Sequence, residues 1–213
     1  MTVAPADQAL YEIASSPAPV TIDDALRTMQ SIDQLLPGTD GLKWFNRLYM
    51  MVTQQVDTQP PADGWRDPAW LTRLDVVFAS FYFRAIADFL SNSPSTPSSW
   101  DALLEARYRT GIDRIQFAVA GMNAHINHDL ALALLETDAQ LGVVPGLDSP
   151  QHTDYEAVNG LLKAVMPAAS RCSRRAFWES WPRTRERSAA SSLSGISAAP
   201  ATWPGSSPIT SAA

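Results

Sequence analysis

Cysteine is almost missing: Cys172 is the only one in 213 residues. One thiol cannot close an intrachain disulfide or supply a multi-thiolate metal site, so a disulfide scaffold and a zinc ribbon are both excluded, and a reducing compartment is the default. Basic residues are few as well. Sixteen Lys and Arg face 22 Asp and Glu, a net charge of −6, with no Lys/Arg cluster in the first 170 residues. That argues against a surface that tracks nucleic-acid phosphates. Long hydrophobic runs are missing too, since stretches such as Leu130 to Leu135 fall far below the ~20 residues needed to span a bilayer. The first 20 residues carry Asp7 and Glu12 and have neither a basic start nor a long apolar core, unlike a secretory signal. The expectation is a soluble, cytoplasmic protein without a nucleic-acid or membrane partner. Gly-x-Gly-x-x-Gly, Gly-x-x-x-x-Gly-Lys-Ser/Thr and Gly-x-Ser-x-Gly do not occur, which removes support for nucleotide binding and for a serine nucleophile elbow.

What is present suffices for one domain with an appendage. The chain is 46% hydrophobic and 18% charged, enough apolar material for a sizeable core. It divides unevenly. Residues 1–170 hold 10 Lys+Arg and 20 Asp+Glu, whereas residues 171–213 hold six Arg and two Glu. From Cys172 onward there are ten Ser, eight Ala and four Pro, and no Lys, Asp, Asn, Gln, His, Tyr, Val or Met. Such a composition sustains neither an amphipathic helix nor an alternating strand. It reads as a disordered Ser/Ala/Pro extension or as the product of a reading-frame shift in GC-rich DNA. The Arg-over-Lys bias of the body, 8 to 2, and Trp178, Trp181 and Trp203 favour the shift, in which case the last helices are replaced. The expected division is a loosely ordered segment 1–20, a helical domain 21–167 and a low-complexity tail 168–213.

Within the domain, apolar residues recur at helical spacing. Thr21 with Asp24 forms a capping-box-like start, and Ala25, Met29, Ile32 and Leu36 follow until Pro37-Gly38. Leu42 to Val56 presents Phe45, Leu48, Tyr49, Val52 and Val56 on one face. Asp67-Pro68 opens a third helix that reaches Phe89 and is apolar around most of its circumference, hence central. Ser99 caps a short helix through Tyr108. Ile112 to Leu141 is the longest helical stretch, with a bend expected at Gly121. Thr153-Asp154-Tyr155-Glu156 reads as a capping box for a last helix ending at Pro167. Six helices without an alternating strand predict an all-α bundle with a long central helix.

Two of the three histidines, His125 and His128, lie in one turn of the long helix, followed directly by Asp129. At about 100° per residue, His128 falls near −60° and Asp129 near +40° from His125, so the three share a face. Ala118 and Gly121 lie beneath them, leaving the backbone lightly covered for a partner helix or a ligand pocket. Ile115, Val119, Ile126, Leu130 and Ala133 form a core stripe, and Gln116, Asn123 and Asn127 a polar one. His at i and i+3 with a neighbouring carboxylate can converge on a divalent ion such as zinc, leaving a position for water, or can work as acid and base. Asp75, Glu105, His152 and Glu156 are the candidates for a further ligand. The spacing matches neither His-Glu-x-x-His nor the Glu-x-x-His di-iron pattern. Equally available is a structural role, with buried imidazoles and carboxylate in a satisfied polar network. Arg47 and Asp75, embedded in apolar helices, need partners, and an ion pair between them is the simplest expectation.

Three segments, Trp44-Phe45-Asn46-Arg47-Leu48-Tyr49, Leu74-Asp75-Val76-Val77-Phe78-Ala79 and the stretch from Gln116 to Leu130 containing Gly121-Met122-Asn123-Ala124-His125-Ile126-Asn127-His128-Asp129, resemble the bacterial family catalogued as domain of unknown function 5995. The likeness covers residues 20 to 165, with Tyr155-Glu156-Ala157-Val158-Asn159 resembling the start of the family's next helix. The resemblance implies an all-α fold, draws attention to His125, His128 and Asp129, and implies no reaction. Together these features point to a small-molecule hydrolase, lyase or cyclase. In it, His125 and His128 ligate an ion or exchange protons, with Asp129 or Asp75 orienting a ligand or acting as base. The other reading is a non-enzymatic binding or accessory bundle. The substrate and the oligomeric state are not legible in these residues.

Overall fold

Helix starts follow the local chemistry. Thr21 Oγ1 accepts the Asp24 N–H at 3.1 Å while Asp24 Oδ2 accepts the Thr21 N–H at 2.9 Å, a reciprocal box that opens a helix at Ile22. Asp67 Oδ1 accepts the Trp70 N–H at 3.0 Å, with Pro68 in the first turn. The computed structural model of the chain describes residues 3–171, with side chains as far as Lys163. Its helices are α1 (Gln8–Ala14), α2 (Ile22–Leu35), α3 (Leu42–Thr58), α4 (Pro68–Leu90), α5 (Asp101–Leu104), α6 (Arg114–Ala124), α7 (Leu130–Leu141) and α8 (Pro150–Arg171). Among the described residues there is no strand, as the hydrophobic periodicity predicts. No helix among them is long and apolar enough to cross a membrane. The tail from residue 172 onward, including the expected frame shift, lies outside the described residues.

The helix count differs from six for two reasons. Within the first 20 residues, expected to be loosely ordered, α1 forms and buries Leu10 and Ala14. The stretch from 112 to 141 is not one bent α-helix: a π-helical turn, His125–Asp129, separates α6 from α7. Gly121 is not the interruption. It is where α3 approaches α6, since a Cβ there would overlap the Phe45 ring, just as a Cβ on Gly41 would overlap Phe117.

The core consists of two apolar clusters. One gathers α1, α2, α3, the second half of α4, Trp100, α5 and α6 around Met29, Phe45, Leu48, Tyr82 and Ile86. The other gathers Val56, Trp70, Leu71, Leu74, Leu130, Leu134 and Tyr155 from α3, α4, α7 and α8. Phe78 and Ile126 pack against both. The π turn therefore sits at the junction of the two clusters.

Several polar expectations are corrected by long-range pairing. Arg47 does not pair with Asp75; its Nε donates to Asp33 Oδ1 at 2.6 Å, one helix away on α2. Asp154 caps no helix of its own. α8 starts earlier, at Pro150, with Ser149 Oγ accepting the His152 N–H, and the Asp154 carboxylate takes the N–H groups of Arg66 and Asp67 at 2.8 and 2.7 Å. α8 also continues through Pro167 to Arg171. The helix expected from Ser99 to Tyr108 stops at Leu104, because the following turn delivers Arg107 to Asp40. Val119 is 43% exposed rather than core. Gln116 reaches back to the Asp113 N–H at 2.9 Å as a cap.

Candidate acid–base site at the π turn

A π turn widens the helix by one residue, and such turns recur at functional sites. Here it turns His125 and Asp129 inward, 1% and 0% exposed, while Asn123 and Asn127 face outward and bond each other at 2.6 Å. His125 Nδ1 lies 2.8 Å from Asp129 Oδ2, and His128 Nδ1 lies 2.8 Å from Asp129 Oδ1. Trp100 Nε1 donates to Asp129 Oδ2 at 3.0 Å from outside the helix. A carboxylate only accepts, so both rings donate Nδ1–H to it, and a neutral His125 keeps a lone pair on Nε2. The face shared by His125, His128 and Asp129 is thus real, but the two rings converge on the carboxylate. Among the described residues, no group of three or more His, Cys, Asp and Glu side chains is arranged to hold a metal ion.

The His125 ring is caged by aromatics. Phe78 stacks on it with centroids 3.6 Å apart and planes 4° apart, and Tyr49 meets it edge-on at 4.4 Å. Phe45, Trp100 and Tyr82 surround it at 5.8, 5.8 and 6.1 Å. Burial pushes the imidazole below its ordinary value, against the opposing pull of the Asp129 hydrogen bond and charge, so His125 is neutral at pH 7.

Beside this ring lies a cavity of about 50 Å³, lined by Tyr49, Val52, Thr53, Leu71, Leu74, Asp75, Phe78, His125, Ile126, Tyr155 and Asn159, with further apolar carbon. This is room for roughly three or four water-sized groups. Among the described residues, six buried side-chain polar atoms lack a hydrogen-bond partner. Three of them, His125 Nε2, Asp75 Oδ2 and Asn159 Nδ2, belong to residues lining this one cavity. Unpaired buried polar atoms are rare, though each of these three is closed off from the open space itself and the Asn159 side chain also hydrogen-bonds the Tyr155 phenol.

Asp75 is the sequence-derived candidate that shares the cavity with His125. Its carboxyl is raised from 3.8 to about 7, first by burial and then by the charge of Asp57. Burial likewise pushes the Tyr49 phenol well up, with Asp75 and Asp129 adding to the effect and a Thr53 hydrogen bond opposing it. The remaining ligand candidates stand apart: Glu105 and Glu156 are exposed, and His152 stacks toward Tyr155 without lining the cavity. His128 is 39% exposed at its side chain and holds the outer carboxylate oxygen. Trp100, Thr53 and Asn159 carry no signal of a role in the sequence, since they arrive from α3, α8 and the turn before α5.

A model of a family of unknown function, DUF5995, matches residues 22–196. The match extends past residue 165, where the resemblance read from the residues ended, into the Ser/Ala/Pro/Arg segment. No curated protein and no solved structure matches the chain.

Proposed function

We infer, for a chain that belongs to the DUF5995 family, that it is a small-molecule enzyme working by acid–base chemistry, with His125 Nε2 as proton acceptor. One observation supports this above others: a fully buried imidazole has one nitrogen bound to a carboxylate and the other unpaired beside a cavity. A neutral imidazole in that state can take a proton from a substrate hydroxyl, from an acidic C–H or from a water attacking a carbonyl. The imidazolium so formed keeps its Nδ1–H on Asp129 and its face against Phe78. Both stabilise positive charge where it develops, without rearrangement. Asp129 is a positioning residue: with Trp100 and His128 holding it, it selects the tautomer. Asp75, able to carry a proton near pH 7, is the complementary acid. Hydrolase, lyase and cyclase chemistry all use such a pair.

The test is a screen of small esters, lactones, amides and hydroxy acids for turnover by wild type, His125→Gln and Asp129→Asn. A loss of about 10²-fold or more in His125→Gln is expected if His125 is the base. Asp129→Asn is expected to lower kcat more than it changes KM, and ¹⁵N NMR should report a changed His125 tautomer. Turnover unchanged in folded His125→Gln overturns the assignment. The five rings around His125 favour a second reading, a binding pocket in which the imidazole only orients a ligand. Saturable binding without turnover of any bound compound is its signature.

A further inference from the structure

Carbon makes up most of the surface that the His125 cavity presents. Its apolar side chains come from separate elements, among them Val52 on α3, Leu71 and Leu74 on α4, Ile126 on the π turn and Val158 on α8. The polar groups of the same wall are turned aside. Thr53 hydrogen-bonds the Tyr49 phenol, Asn159 hydrogen-bonds the Tyr155 phenol, and Asp75 Oδ2 and His125 Nε2 are closed off by their neighbours. Water in such a space lacks the polar partners that hold a buried water in place. An ion would give up its hydration there with no replacement. The wall does not call for an ion either, since burial leaves His125 neutral and lifts the Asp75 carboxyl to about 7. Interiors are close-packed and leave few voids larger than a water molecule, yet this one of about 50 Å³ lies against the π turn where both apolar clusters meet. Resting on the reading of this cavity as the ligand site, we propose that it takes a small neutral molecule whose aliphatic end, of roughly three or four heavy atoms, fills the space. In the acid–base reading this makes the substrate an uncharged ester, lactone or amide that carries a short aliphatic group.

The experiment titrates the full chain at pH 6 with Y-shaped probes of equal heavy-atom count: 2-methylpropene, urea, guanidinium and acetate. Binding is read from the methyl resonances of Leu74, Ile126 and Val158 in a ¹³C-labelled sample. 2-Methylpropene is expected to shift them saturably, with an affinity at least tenfold above that of urea, while the two ions leave them in place at concentrations that do not unfold the chain. Val158→Phe, which puts a ring into the space, should weaken 2-methylpropene binding at least tenfold, and Val158→Met serves the same test if the larger side chain prevents folding. Undiminished binding in the folded, filled variant places the probe elsewhere and overturns the proposal. Urea, guanidinium or acetate binding as tightly as 2-methylpropene overturns the apolar class and leaves the His125 acid–base reading untouched. If 2-methylpropene binds but no ester, lactone or amide is turned over in a His125-dependent way, the apolar site stands and the acid–base reading falls. If no probe moves a methyl resonance, the apolar site falls, and turnover lost in His125→Gln would still uphold the acid–base reading.

Discussion

Two buried polar clusters in this chain settle their charge in opposite ways. At one end, Arg107, 2% exposed, clamps Asp40, 1% exposed, with Nη2 to Oδ2 at 2.6 Å and Nε to Oδ2 at 3.0 Å, and Asp7 approaches Nη1 at 3.3 Å. Cation and anion meet there in a bidentate fork that ties the turn after α5 to the start of α3, with the Gly41 N–H bonding the Arg107 carbonyl at 2.7 Å. Around His125 no cation is supplied among the described residues. Asp129 is satisfied by donors, but Asp75 Oδ2 and His125 Nε2, on residues that line the cavity, have no hydrogen-bond partner. The first cluster balances its charge, although Arg107 Nη1 meets Asp7 only as an ion pair and makes no hydrogen bond. The second holds two unpartnered acceptors, and it is the one that adjoins the π turn.

Four measurements set the two clusters apart. Arg107→Met strands Asp40 in the core and should lower stability by about 3–5 kcal/mol in urea unfolding, much of it regained when Asp40→Leu is added. A loss below about 1 kcal/mol would mean that the closed cluster is no scaffold contact. Gly121→Ala should cost about 1–3 kcal/mol, because Phe45 must give way. The same change should shift the His125 ring resonances, since Phe45 leans on that ring.

Asp75→Asn tests the open cluster through pH. Asp75 holds its proton more tightly folded, at about 7, than at the ordinary value of 3.8. Between those values the folded state carries more protons than the unfolded one. The resulting stabilisation is full below 3.8 and is lost as pH rises through about 7. The variant lacks this slope, so its stability relative to wild type should rise by about 2–3 kcal/mol from pH 5 to pH 8. A flat difference would show that Asp75 is solvated. The smallest effect is expected from zinc. An ion at a hundred times its Kd adds ~2.7 kcal/mol, whereas both Nδ1 atoms here are already held by Asp129, and a gain below about 0.3 kcal/mol is expected from thermal unfolding.

Much of the fold was legible because its signals are local. The Thr21 box, the Asp67-Pro68 start and the buried face from Phe45 to Val56 depend on residues within a few positions of one another, and all three appear as expected. The same holds for the shared face of His125, His128 and Asp129, and for the close approach at Gly121. What misled was polar residues read locally. Asp154 followed by Glu156 resembles a helix start, yet its carboxylate serves backbone N–H groups 87 and 88 positions away. Arg47 and Asp75 sit on adjacent helices, and α2 offered Asp33 instead. A buried charge takes whichever partner the packing delivers, and the sequence does not order those partners by distance.

Periodicity and capping chemistry alone therefore determined that this chain is helical, where most helices begin, and that the His125 turn is unusually polar for a central helix. Tertiary structure decided what that polarity does. Trp100 and Phe78 reach His125 and Asp129 only after α4, α6 and the turn before α5 have packed. The π turn changes the register of everything after it, which an α-helical wheel cannot anticipate. The cavity has no residue spacing of its own: it is the space left where two apolar clusters meet, and it exists only once both have formed.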